Sequence, residues 1–205
     1  MKRLSVLISC CFLLVSGVVL AQEAKTYSSP KLKDVQAVIK QAKVVQNQQV
    51  GDSLSSPEIK TIGRDTFYGP AGPFKKAYTY VTVSEGGFAL WIAGNQEGEW
   101  KLWSPAARAD GMITVEAMFF DDVQGDGFVE VFVLHSWMKG SMDGAWTNYE
   151  VEALEWDQKT NTFVNRSEWF EGNIPMSAKD HTHGFTTAKE VRKYLKSKKF
   201  KKKLK

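Results

Sequence analysis

Residues 113–137 read ITVEAMFFDDVQGDGFVEVFVLHSW, two runs rich in β-branched and aromatic residues on either side of a short acidic loop with two glycines. Runs of this composition bounded by Asp-Gly punctuation form neighbouring antiparallel strands, here expected over 113–120 and 129–137. Inside the loop, Asp122, Gln124 and Asp126 place oxygen-bearing side chains at alternate positions, Gly127 permits a sharp turn, Phe128 offers its carbonyl and Glu130 closes with a carboxylate. Calcium takes about six to eight oxygen ligands, and short loops supply them in this alternating way. No histidine or cysteine accompanies these donors, which disfavours zinc and copper, and a flexible loop suits calcium better than the strict octahedron of magnesium. Asp121 stands ready to help from outside the loop. A second reading stays open, because Asp-Gly is also a favoured hairpin turn without any ion.

Outward from this unit, short β-rich runs separated by glycine turns begin near residue 60 and predict an antiparallel meander of six or seven strands, of propeller-blade or sandwich type. Strands are expected over 78–83, 88–93, 99–103, 148–156 and 162–164. The hairpin carrying Ala89-Leu90-Trp91 and Glu99-Trp100 resembles in outline the one carrying Ala153-Leu154-Glu155-Trp156 and Thr162-Phe163, as two similar modules would, the alternative being two ordinary tryptophan-bearing hairpins. Before the β region, Leu32, Val35, Val38, Ile39, Ala42 and Val45 recur at helical spacing after Ser29-Pro30, which predicts an amphipathic helix over 30–46. Residues 47–57 read as a linker. Near the end, Thr187 and Glu190 have the form of a capping box, and the helix it starts is expected to fray into a lysine-rich tail.

The acidic stretch resembles the FG-GAP or VCBS-type calcium loop of secreted and integrin-like β proteins, in which an Asp-x-Asn-x-Asp-Gly-x-x-Asp/Glu segment joins two strands. The resemblance covers residues 115–134, and Gln124 departs from it at the second ligand. It implies that Asp122, Gln124, Asp126 and Glu130 are side-chain ligands, that calcium is the cofactor, and that the ion is structural in a protein that binds rather than catalyses.

Residues 1–21 have the form of a secretory signal, with Lys2 and Arg3 before an apolar run and Val19-Leu20-Ala21 at the cut, so secretion or a periplasmic location is expected. Leu7-Ile8-Ser9-Cys10 resembles a lipobox but leaves too short an apolar stretch before it, so lipidation is not favoured. Cys10 and Cys11 both fall inside the leader, and a chain cut after Ala21 has no thiol for disulfides or nucleophilic chemistry. The expected organisation is a leader at 1–21, a helix and linker at 22–57, a β domain at 58–185 with its acidic loop at 121–130, and a basic helix and tail at 186–205. With 43% hydrophobic and 12% aromatic residues, the chain can fill a core.

Charge is unevenly placed: residues 189–205 hold ten basic residues and one acid, whereas 22–188 hold fifteen and twenty-two. Lys198, Lys199, Lys201, Lys202, Lys203 and Lys205 therefore form a candidate polyanion-binding segment, for envelope polysaccharide or an anionic membrane surface, with no signal for a specific nucleic acid. Trp137 and Trp146 bracket a glycine-rich connection and are candidates for a ligand platform, the alternative being that both pack inward. His181 and His183 sit at alternate positions as a metal pair would, but read as surface histidines, and His135 reads as a packed core histidine. No Gly-x-Ser-x-Gly, His-Glu-x-x-His or phosphate-loop pattern occurs, so a non-enzymatic protein is expected. Alternatives are a glycan-processing enzyme, or an inhibitor of one, and a membrane- or polyanion-associated protein acting through the tail.

Overall fold

A computed structural model of the chain describes residues 27–47, 66–84, 87–108, 113–141, 144–177 and 181–204. The expected leader at 1–21 and nearly all of the linker at 47–57 lie outside the described residues. The fold is mainly β, as the sequence predicts, and its strands divide between two sheets. The first runs β1-β5-β4-β3-β2, from β1 (Lys43–Asn47), β2 (Thr66–Ala71), β3 (Phe74–Ser84), β4 (Gly87–Gln96) and β5 (Glu99–Arg108). The second runs β10-β11-β8-β7-β6, from β6 (Ile113–Asp121), β7 (Glu130–Ser141), β8 (Gly144–Asp157), β10 (Met176–Ser177) and β11 (Thr182–His183). The short β9 (Thr162–Asn165) also pairs with β8.

Alternation along the strands decides the layering. Phe88, Leu90 and Ile92 of β4 meet Val131 and Val133 of β7 and Leu154 and Trp156 of β8 in a core between the two sheets. The intervening Ala89, Trp91 and Ala93 face the other way, onto Val38 of α1 (Leu32–Gln41). Phe132 and Leu134 of β7 likewise face outward, beneath Val191 and Leu195 of α2 (Ala188–Leu195), Phe200 of α3 (Lys198–Lys203) and Trp169 of a 3-10 turn. The order of layers is helix, sheet, sheet, helices. Strand β4 is buried on both faces, which is why its sequence is a continuous apolar run instead of an alternating one.

Several expectations shift. Helix α1 is shorter than 30–46: its N-cap is Lys31, with no side-chain cap, and Ala42 is already extended. Residues from Lys43 onward leave the helix to pair parallel with β5, covering an edge that would otherwise expose unpaired backbone groups. The two tryptophan hairpins are not equivalent modules, since Trp91 faces α1 whereas Trp156 faces the inter-sheet core. The basic tail does not fray after α2. Ser197 Oγ accepts from Phe200 N at 3.2 Å, and the fully buried Phe200 ring packs edge-on against Trp169, so a second helix forms. Thr187 caps α2 as expected, while Glu190 reaches back to the Thr186 amide.

The outer edge of β8 is shared between two partners. Thr147 and Asn148 pair parallel with β11, residues 154–157 pair with β9, and the stretch between them lies against neither strand. Gly184, with φ near +121°, lets the chain leave β11 close against this edge, since a Cβ there would collide with the Tyr149 carbonyl.

Candidate metal centre

Strand β6 ends and β7 begins at the register pair Asp121–Glu130, and the acidic loop spans the gap. Gly125 and Gly127 have φ of 75° and 89°, in the left-handed region that glycine adopts without cost, although nothing crowds either position. With the backbone bent this way, loop amides point inward at the carboxylates. Asp122 accepts from Gly125 N through Oδ1 at 2.7 Å and from Gly127 N through Oδ2 at 3.0 Å. Asp126 Oδ1 accepts from Phe128 N at 3.0 Å. Glu130 Oε2 accepts from Val123 N at 2.8 Å, and its Oε1 accepts from Gln124 Nε2 at 3.2 Å.

These bonds gather one ligand atom each from Asp122, Asp126 and Glu130 to within 4.8 Å of one another. Three of the five expected ligands therefore meet. Gln124 is exposed and turns its amide nitrogen toward Glu130, so it offers its oxygen to a cation only after a half-turn of the amide. Phe128 packs its ring against the inter-sheet core.

Burial sets Glu130 apart from the other acids of the loop, since Asp122 is half-buried and Asp126 exposed. Glu130 is only 1% exposed, and removal from water pushes its carboxyl from 4.5 up to about 7; the Val123 and Gln124 hydrogen bonds offset part of that, and the Asp122 charge adds to it. An Asp-Gly turn has no need of a buried acid. The loop is also a joint between layers: Val123 packs under the helices, Phe128 packs between the sheets, and Gly72 N donates to Val129 O at 2.7 Å, tying the β2–β3 turn to the loop's end.

The other candidates are dispersed. Trp137 packs against the inter-sheet core and stacks on His135, while Trp146 lies edge-on to His181, and no ring contact joins the two tryptophans among the described residues. His181 and His183 gather no further ligands among the described residues. Lys198, Lys199, Lys201 and Lys202 lie exposed on α3, Lys203 Nζ donates to the Glu168 and Glu171 carbonyls, and Lys205 lies outside the described residues.

A second cluster, which the sequence reading passed over, joins His135, Glu150 and Glu152 within the same 4.8 Å limit. Its signal was present, because Glu150 and Glu152 alternate with Leu154 and Trp156 and so share the inward face of β8. The fold and the acidic joint define a two-sheet β protein flanked by helices. Comparison with protein-family models, with curated proteins and with solved structures finds no match for this chain.

Proposed function

We propose that this chain is an exported, non-enzymatic binding or structural protein whose two sheets are locked by one calcium ion in the loop between β6 and β7. The carrying observation is the convergence of Asp122, Asp126 and Glu130 within 4.8 Å, with Glu130 buried beside them. Oxygen-only donors on a glycine-bent loop favour calcium, with the Gln124 amide oxygen and the Phe128 carbonyl as further ligands. Because the loop contacts both cores and Gly72, fixing it fixes the sheets to each other. Three carboxylates drawn to one point on one loop favour this role over glycosidase chemistry, which sets its two carboxyls about 5 to 9.5 Å apart across a cleft. The test is calorimetric titration of the purified chain with calcium, paired with melting curves. One equivalent should bind and raise the melting temperature, and Asp126→Asn should abolish both effects. Absence of heat and of any melting shift at millimolar calcium would sink the proposal.

A second reading has its own support. Phe200 anchors α3, whose exposed lysines follow in the chain Lys189, Arg192, Lys193 and Lys196, which line one surface of the α2 region. These basic residues suit a polyanionic surface such as envelope polysaccharide or anionic lipid. Replacing Lys198, Lys201 and Lys202 by Glu keeps Phe200 in place and should release the protein from anionic vesicles; salt-insensitive, unchanged retention would refute it.

A further inference from the structure

The inward face of β8 carries Glu150 and Glu152 ahead of the core residues Leu154 and Trp156. Across from them on β7, His135 is the register partner of Glu150, and its Nε2 lies 3.3 Å from Glu152 Oε1. His135 is 0% and Glu152 1% exposed. Glu152 is held in orientation by its other oxygen, which accepts from Asn165 Nδ2 at 2.6 Å and lies 2.7 Å from Ser167 Oγ. One oxygen anchored from outside and the other turned to an imidazole is how outer hydrogen bonds orient a ligating carboxylate.

Two further observations bear on the site. His135 Nδ1 is buried and has no hydrogen-bond partner among the described residues, so Nε2 is the ring nitrogen that faces the carboxylates. Phe88 and Trp137 pack on the ring at centroid distances of 4.8 and 5.8 Å, so it is not free to swing out to water. Beside the cluster, a cavity of about 140 Å³ lies along the unshared part of the outer edge of β8, with Glu150 and Ser167 in its wall. It has room for several waters and touches the cluster at Glu150.

We infer that His135, Glu150 and Glu152 form a second, independent metal site, for zinc or a chemically similar late first-row divalent cation. One imidazole and two carboxylates are a borderline donor set that suits zinc and not calcium. Two carboxylates, a neutral imidazole and a divalent cation sum to zero charge, and water from the cavity supplies the remaining tetrahedral position. The two sites are distinct in chemistry: oxygen donors alone in the loop, nitrogen and oxygen between the sheets.

The test is titration of the purified chain with Zn²⁺ against a chromophoric chelator, with Co²⁺ substitution as a spectroscopic readout. The expected result is one equivalent of zinc and a visible Co²⁺ spectrum, both lost in Glu150→Gln and His135→Asn and both retained in Asp126→Asn. Asn165→Ala, which leaves the ligands in place, should weaken zinc binding by about 10–100-fold. Circular dichroism identifies a variant that fails to fold, and the half-buried Glu150→Gln keeps the question open should His135→Asn do so. Failure of the wild-type chain to retain zinc, retention of zinc by folded Glu150→Gln, or loss of zinc in Asp126→Asn would each overturn the inference. Loss of calcium binding with zinc binding intact would overturn only the loop proposal.

Discussion

Glu130→Gln separates a calcium joint from an ion-free turn by the sign of its effect. In the metal-free protein the buried Glu130 carboxyl is raised from 4.5 to about 7, chiefly by desolvation. Below pH 4.5 the group is protonated in folded and unfolded chains alike, and the fold has the full benefit of its preference for the neutral form. As pH rises from 4.5 through 7, the unfolded chain ionises freely while the folded one resists, so that stability is lost across this window. At about 1.36 kcal/mol per unit the loss is on the order of 3 kcal/mol, a large fraction of a domain's usual 5–15 kcal/mol. Glutamine has the shape of the protonated acid and cannot ionise. The assay is urea unfolding of both proteins from pH 5 to 8.5, in chelator and in saturating calcium. In chelator the wild type should fall relative to Glu130→Gln by about 3 kcal/mol across the range, since other titrating groups are common to both. In calcium the order should reverse, because only the ionised carboxylate binds the ion, and wild-type affinity should rise about tenfold per pH unit below 7. A difference between the two proteins that is independent of pH, or identical responses to calcium, would refute the reasoning.

Three other perturbations test the frame that holds the sites. Gly184→Ala places a Cβ against the Tyr149 carbonyl at a left-handed backbone position and should cost at least about 2 kcal/mol in urea unfolding, with increased hydrogen exchange along β11; a neutral result would show that the chain leaves β11 by another path. Phe200→Ala empties a fully buried position against Trp169 and Tyr194 and should cost about 3–5 kcal/mol, where a frayed tail would lose almost nothing. Thr187→Ala removes the hydroxyl that accepts from Glu190 N and should cost about 0.5–2 kcal/mol by thermal unfolding, leaving calcium affinity unchanged.

The strand alternation and the Asp-Gly loop were legible because they depend on neighbours in sequence: β6, β8 and β9 cover the runs that residue types predict, and β7 begins one residue later than expected, at Glu130. The short β1 and β11 were not, because parallel pairing with β5 and β8 is decided by which edges lie vacant in the assembled sheets. Phe200 illustrates the same limit. One aromatic among lysines carries no helical period, and only the pocket formed with Trp169 and Tyr194 gives it a reason to be buried. The acidic loop was read residue by residue, whereas the burial of Glu130 comes from layers packed on either side.

By itself the sequence determined a mainly β chain, the position of its oxygen-rich loop, the capped helix near its end and the concentration of positive charge beyond it, since each follows from residue type and spacing. Only the tertiary structure decided that two sheets face each other between helices, that the loop is the joint between them, and that His135, Glu150 and Glu152 meet. Those three lie on two strands that the β7–β8 hairpin brings into register, and the 3-10 turn and β9 add Ser167 and Asn165 from outside. Proximity of that kind depends on register and sheet closure, and neither can be read from a single run of residues.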